Sequence, residues 1–217
     1  MTERVLHTYY RSSASYRIRI ALNLKGLTAR HVPVHLNRGG GEQFGDGFRM
    51  LNPQALVPVL SEGGLHISQS LAILEYLEDR YPSPPLLPVS LEGRARARAL
   101  ALDIACEIHP LNNLRVLKFL TGPLKLGEEE KLQWIRHWIT LGFDALENNL
   151  AMSKQPGPFC VGDQPSIADC CLVPQVFSAR RFEVDMSPYP ILQSIDQACQ
   201  SLPAFADARP GVQPDAE

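Results

Sequence analysis

The stretch Tyr9-Tyr10-Arg11-Ser12-Ser13-Ala14-Ser15-Tyr16-Arg17-Ile18-Arg19-Ile20-Ala21-Leu22 reads as a strand end, a hydroxyl-rich turn and the start of an amphipathic helix. Ser12, Ser13 and Ser15 offer small donors, and the first N–H groups of any helix lack partners within it. Such a turn can hold an anion. It can equally be a plain helix cap, because serine is a preferred N-cap. Position 14 is alanine, so a nucleophile acting here has to come from elsewhere.

Working outward, residues 4–10 are aromatic and β-branched and predict a strand. Ile18, Ala21, Leu22 and Leu24, followed by Lys25-Gly26, predict a helix over 13–25. His31 to His35 reads as a second strand, and Pro33 puts it at a sheet edge. Asn37 to Gly47 is a glycine-rich, mobile loop leading to a short helix near 44–50. Val57–Leu60 and Leu65–Ile67 flank Glu62-Gly63-Gly64 as a hairpin. Ser68–Tyr81 is a helix ended by Pro82. Strand, helix, strand, helix, strand, strand, helix within about 80 residues is an α/β unit with a mixed sheet. Pro82-Ser83-Pro84-Pro85-Leu86-Leu87-Pro88 reads as a linker. Beyond it helices are expected over 91–121, 128–152 and 166–179, with shorter ones to 207 and an irregular tail from Arg209. The expected domains are 1–84 and 90–217.

Composition narrows the function. A net charge of -2 argues against a nucleic-acid partner, which normally requires a basic surface. There is no apolar run of membrane-spanning length, and Met1–Val5 does not open a secretory leader, so a cytoplasmic protein is expected. The five cysteines (Cys106, Cys160, Cys170, Cys171, Cys199) are odd in number and form no C-x-x-C pair, which predicts buried reduced thiols rather than a disulfide framework. No metal site is expected: His31 and His35 on one strand are too far apart to share an ion.

Three stretches can carry chemistry. At the Ser12 turn a hydroxyl either caps the helix or donates to a thiolate, whose pKa a helix N-terminus lowers. In Asn52-Pro53-Gln54-Ala55-Leu56-Val57-Pro58, the proline marks either an ordinary strand start or a cis bond. A cis bond leaves the Val57 backbone free to pair with an extended peptide. In His66-Ile67-Ser68-Gln69-Ser70, Gln69 and Ser70 with the following helix can hold a carboxylate, or the serines merely cap. Ser166-Ile167-Ala168-Asp169 is a capping box assigned to folding.

Together with Ile108-His109-Pro110-Leu111-Asn112-Asn113, Gly162–Asp169, Leu172-Val173-Pro174-Gln175 and Arg181–Pro190, these motifs resemble the cytosolic glutathione transferases. The hydroxyl-rich turn is similar to that of the zeta class, which includes maleylacetoacetate and maleylpyruvate isomerases. The resemblance spans the chain. It implies an N-terminal thioredoxin-like α/β domain, a C-terminal all-helical domain and a homodimer, with glutathione as cofactor.

By resemblance Ser12 is the catalytic serine, with Arg11 and Ser13 beside it. Ser12, Ser13, Ala14 and Ser15 line the sulfur end of the glutathione site. Gln43, Val57, Pro58, Gln69, Ser70, His109 and Asn113 complete it. Arg11, Arg115, Arg180 and Arg181 are the candidate clamps for a small dicarboxylate, since guanidinium binds carboxylate bidentately. Cys106, His109 and Asn113 share one face of an ideal helix, although Pro110 disturbs it. Arg17 and Arg19 read as packing or interface residues. Zeta enzymes commonly carry cysteine at the position of Ala14, so its replacement leaves glutathione's own sulfur as the thiol of the turn.

The implied activity is glutathione-dependent cis–trans isomerisation of a maleyl keto acid. The sulfur adds to the cis double bond, the new single bond rotates, and elimination gives the fumaryl isomer in aromatic catabolism. The alternatives are a transferase or dehalogenase acting on small α-halo acids, which consumes glutathione, and a glutathione-binding protein without efficient turnover.

Overall fold

A computed structural model describes residues 3–153 and 157–217, so Met1 and Thr2, on which part of the leader reading rests, lie outside it. Residue contacts divide the chain into two units. The first is Met1–Leu86 with Gln200–Glu217, and the second is Leu87–Cys199. Residues 200–217 thus group with the first unit, unlike the expected boundary, which assigned them to the helical half.

The first unit holds a four-stranded mixed sheet in the order β2-β1-β3-β4, with β1 Arg4–Thr8, β2 Arg30–Pro33, β3 Val59–Glu62 and β4 Leu65–Ser68. β1 runs parallel to β2 and antiparallel to β3, pairing Leu6 with His31 and with Leu60. Pro33, which lacks an N–H to donate, sits on an edge strand as its chemistry requires. Before residue 86 the α-helices of this unit are α1 Ser13–Leu24, α2 Asp46–Leu51 and α3 Ser70–Arg80. Leu6, Ile18, Ile20, Leu60, Ile73, Leu74 and Leu77 form the dry centre.

α1 departs from an amphipathic helix: Ser15 through Leu22 are all buried, including Arg17 and Arg19. A helix buried all round needs cover on every side. Here the second side is covered by residues 200–217, where the Arg19 Nε donates to the Ala208 carbonyl and Asn23 Nδ2 to the Ala204 carbonyl, both at 3.0 Å. Arg19 is therefore an internal packing residue of its own unit. Lys25 is likewise buried, its ammonium donating to Glu78, Tyr81 O and Pro84 O.

The second unit contains α4 Leu91–Leu102, α5 Leu114–Thr121, α6 Glu128–Ala151, α7 Ile167–Arg181 and most of α8 Pro190–Gln200. The single helix expected over 91–121 is broken. A π-turn covers Asp103–Ile108 and a 3-10 turn His109–Asn112, before α5 restarts. Pro110 supplies the cause, since it cannot donate to the preceding turn and its ring crowds it. α7 opens on the expected capping box. Buried Asp169 accepts from Cys160 N, Ser166 N and Ser166 Oγ at 2.8–2.9 Å, and Ser166 Oγ accepts from Ala168 N. Four cysteines are buried, but Cys106 is exposed, contrary to the expectation of uniformly buried thiols. Burial pushes the Cys160 and Cys199 thiols far above their ordinary range, so both stay protonated.

Candidate functional site

The Ser12 turn caps its helix. Ser12 is the N-cap of α1, and its Oγ accepts from the Ser15 N–H at 3.2 Å. Its carbonyl accepts from the Tyr16 N–H at 2.8 Å. A hydroxyl that caps spends a lone pair and keeps its proton. Ser12 can therefore still donate to a ligand, and accepting from the cap orients it. Among the described residues the Ser13 and Ala14 N–H groups at the same helix start have no acceptor. Arg11 is exposed, with its guanidinium 5.0 Å above the Tyr10 ring. Ser15 is fully buried and its Oγ has no partner, so it belongs behind the turn rather than at its surface.

The strand before the turn is clamped from the opposite side. Arg19 donates to Tyr9 O at 3.4 Å, to Tyr10 O at 3.0 Å and to Thr8 Oγ1 at 3.3 Å. Burial pulls the Arg19 pKa down to about 10, with Asp215 acting the other way, so the clamp stays cationic at neutral pH.

The Val57–Pro58 bond is cis. Val57 precedes the first β1–β3 ladder pair, and among the described residues its N–H and C=O reach no hydrogen-bond partner. Asn52 supports this bend, donating to Leu56 O at 2.7 Å and accepting from Gln54 N at 3.1 Å.

Gln69 stands at the N-cap of α3 with φ 71, a conformation that a non-glycine residue holds only at a cost of about 1–3 kcal/mol. Its side chain makes no cap bond. Instead its Nε2 donates to Gln54 Oε1 at 2.9 Å, and the first N–H groups of α3 stay uncapped. Ser70 follows, 7% exposed, its Oγ accepting from Arg17 Nη1 at 3.0 Å. Arg17 is 2% exposed, and its Nε and Nη2 have no partner. Both are donors, so a buried cation stands unpaired directly behind Ser70.

Gln43 lies in a 3-10 turn, Glu42–Phe44, buried to 4% exposure. Its Nε2 donates to Leu36 O at 3.3 Å and its Oε1 is unpartnered. Gly41 makes this possible. Its φ is +117, and a Cβ there would lie 2.7 Å from Gln43 Nε2.

In the second unit, His109 begins the 3-10 turn, and Asn113 is the N-cap of α5, its Oδ1 accepting from Arg115 N at 3.1 Å. The break at Pro110 removes the shared face expected for Cys106, His109 and Asn113. Arg115 is exposed on α5. Arg180 and Arg181 end α7, but their surroundings differ: Arg180 Nη1 donates to the buried Asp196 carboxylate at 2.5 Å, while the exposed Arg181 guanidinium sits 5.0 Å from the Phe182 ring.

Sequence reasoning read Arg17 and Arg19 as packing or interface residues without placing their contacts, and gave Gln54 no role. A signal was available for the first two. Arginine alternating with isoleucine through an otherwise apolar helix puts cations at positions that no amphipathic face can expose.

The orphaned donors and acceptors form a set suited to an anionic peptide: helix-start N–H groups, a bare Val57 backbone, the Gln43 carbonyl oxygen and an unpaired guanidinium behind a serine hydroxyl. Glutathione, with two carboxylates, two amides and a thiol, fits that set. The comparisons agree. Residues 6–85 match the glutathione S-transferase N-terminal domain model. The chain is 52% identical over 216 residues to the probable maleylacetoacetate isomerase of Vibrio cholerae serotype O1, covering 100% of both chains. A holo structure of maleyl pyruvate isomerase, a bacterial zeta-class glutathione S-transferase, superposes with a TM-score of 0.95 at 47% identity, covering 98% of this chain and 100% of that one. A maleylacetoacetate isomerase of Methylobacterium extorquens AM1, solved with malonate and glutathione bound, gives 0.94 at 39% identity, covering 98% and 99%. On this identity and coverage the chain belongs to the zeta class of the glutathione S-transferase family, alongside the maleylacetoacetate and maleylpyruvate isomerases.

Proposed function

We propose that the protein is a glutathione-dependent isomerase that converts a maleyl keto acid, maleylpyruvate or maleylacetoacetate, to its fumaryl isomer. The observation that carries this reading is the capped Ser12 turn with donors to spare, in a unit that contains no cysteine. All five cysteines lie between Cys106 and Cys199, in the other unit. The turn is built to stabilise a thiolate and has none of its own.

Bound glutathione supplies the sulfur nucleophile that makes the maleyl double bond temporarily single. The Ser12 hydroxyl and the free N–H groups of Ser13 and Ala14 favour its ionised form, as a helix N-terminus does for any neighbouring anion. Val57 pairs with the cysteinyl backbone by strand addition. Ser70, polarised by Arg17, and Gln69, aimed by Gln54, hold the γ-glutamyl end, and Gln43 adds a further contact. His109 and Asn113 serve the same ligand. As negative charge develops on the substrate's keto oxygen, nearby donors stabilise it. Arg11, Arg115 and Arg181 are the substrate's carboxylate partners. Arg180, which pairs with Asp196, is the fourth candidate.

The described residues hold no helix long and apolar enough to cross a membrane. We propose a cytoplasmic homodimer, which sizing chromatography tests directly. The activity is tested by supplying maleylpyruvate and maleylacetoacetate separately with a trace of glutathione and following the fumaryl product. The expected result is many turnovers per glutathione on at least one of them. No turnover on either rejects the isomerase, and stoichiometric loss of glutathione makes the protein a transferase.

A further inference from the structure

The tail from Arg209 reads as irregular in sequence, yet its last residues are tied to both walls of the glutathione half-site. Asp215 Oδ2 accepts from the Tyr10 N–H at 3.0 Å. Ala216 packs on the cluster of Tyr9, Tyr10, Val34, Phe48, Val57 and Val59. The Glu217 carboxylate contacts His35 Nε2 at 3.4 Å and Arg38 Nη2. His35 Nδ1 accepts from the Asn37 and Arg38 N–H groups, so its Nε2 is the nitrogen that carries the proton towards Glu217. The loop anchored there is the one that carries Gln43. Its register is held at the same point by the Glu42 carboxylate, which accepts from the His35 N–H at 2.6 Å.

Tyr10 is the critical point. Its carbonyl accepts from Arg19 and its N–H donates to Asp215, so two opposite charges grip one peptide unit on each side of one residue. Arg11 and Ser12 follow directly. The Ser12 N–H donates to Tyr9 O at 3.0 Å, and that carbonyl is itself held by Arg19. Arg19 also fixes the strap, through Ala208 O, and Gln213 Nε2 closes the strap on itself through Asp207 O and Arg209 O at 2.9 Å. The Asp215 carboxylate is therefore delivered by a braced segment.

We propose that residues 208–217 form a strap that sets the position of the Ser12 hydroxyl, with Asp215 as a positioning residue for thiolate stabilisation. The proposal rests on the thiolate reading of Ser12 given above. A displaced Tyr10 peptide carries Ser12 with it, and a hydrogen bond to sulfur weakens steeply with misalignment.

The test compares Asp215→Ala, Asp215→Asn and Ser12→Ala with the full-length parent. It has two readouts: hydrogen exchange at the Tyr10 amide, and pH titration of the bound glutathione thiolate by its ultraviolet absorbance. Asp215→Ala should speed exchange at Tyr10 by roughly tenfold or more, the scale set by losing a hydrogen bond to a charged acceptor. It should also raise the thiol's apparent pKa. Asp215→Asn keeps an oxygen acceptor and should restore most of both, which a general loss of packing would not allow. Unchanged Tyr10 exchange in Asp215→Ala overturns the strap whatever Ser12 does. So does a titration that Ser12→Ala moves and Asp215→Ala leaves alone. A titration moved by Asp215→Ala but not by Ser12→Ala keeps the strap as the device that positions the turn and rejects Ser12 as the donor.

Discussion

Replacing Arg17 with methionine should weaken glutathione binding while leaving the ligand-free protein as stable as before, or more so. The guanidinium is 2% exposed and uses one nitrogen, Nη1, on Ser70 Oγ; Nε and Nη2 have no partner, and among the described residues no carboxylate pairs with it. Each buried, unsatisfied N–H group costs about 1–3 kcal/mol, and the single charge-assisted bond to Ser70 returns about 1.5–3 kcal/mol. Methionine fills most of the volume of the stem without either orphan. With two such nitrogens, the ligand-free balance therefore runs from about 1 kcal/mol against the variant to about 4.5 kcal/mol in its favour, with its centre near 2 kcal/mol. At about 2–4 °C per kcal/mol for a chain of this size, the Tm should hold or rise by several degrees.

Binding should move the other way. The bond to Ser70 is charge-assisted, and it orients the hydroxyl proposed to meet the γ-glutamyl carboxylate. Loss of a charged hydrogen-bond partner is worth about 1.5–3 kcal/mol, or roughly a 10- to 150-fold rise in the Kd for glutathione. Calorimetric titration gives the second number and thermal unfolding without ligand the first. Arg17→Lys, which keeps the charge but loses the fork, should fall between the two. A Tm that drops by several degrees with glutathione affinity unchanged would refute the reasoning, because Arg17 would then be a stabilising core residue with no part in the site.

Ser12→Ala should lower kcat by roughly 10²-fold or more, as loss of one preorganised anion donor does, and should cost only about 1 kcal/mol of stability from the lost cap; equal activity would leave the helix start as the only activator. Arg181→Leu should raise KM for the keto acid about tenfold or more, on the scale of a charge-assisted contact, with glutathione affinity unmoved. Equal losses in both would reject its assignment. Asp169→Ala leaves the Cys160 and Ser166 N–H groups buried without an acceptor, so it should cost about 2–5 kcal/mol and lower Tm by about 10 °C in a melt followed by circular dichroism. For Glu62, burial favours the neutral acid. The hydrogen bonds from Tyr81, Tyr76 and Arg4 outweigh it and hold the carboxyl below its ordinary 4.5. A lowered folded pKa gives stability that is complete above pH 4.5 and is lost as pH falls through the folded value. Glu62→Gln should therefore flatten the acid limb of the stability curve, and an unchanged slope below that pH would count against the network.

Elements that carry their own signal were legible in the sequence. The Ser12 cap, the Ser166–Asp169 capping box and the Glu62-Gly63-Gly64 hairpin are local chemistry, and each lies where its residues point. What failed to read was long-range. The break at Pro110 was a visible perturbation, but the size of its effect depended on packing within the second unit. The cover over Arg19 comes from residues 200–217, about 190 positions away, and nothing in the helix itself names that segment. Arg180 read as an open clamp until Asp196, on another helix, was placed against it.

The same long-range packing explains why the site's polar groups are half-satisfied rather than fully so. Ordinary cores pair their buried polar atoms. Among the described residues the exceptions lie in both units, and those next to the proposed glutathione contacts are Arg17 behind Ser70 and Gln43 beside Gly41. Arg19, two residues from Arg17 on the same buried helix, differs sharply, with its nitrogens donating to four oxygens. The contrast between neighbouring arginines separates structure from function without reference to any relative. Arg19 is saturated by the protein and holds the turn in place. Arg17 is left with two donors that have no partner, and on the proposed reading its charge acts on the ligand through the Ser70 hydroxyl, so the stability it withholds from the empty protein becomes available to the complex.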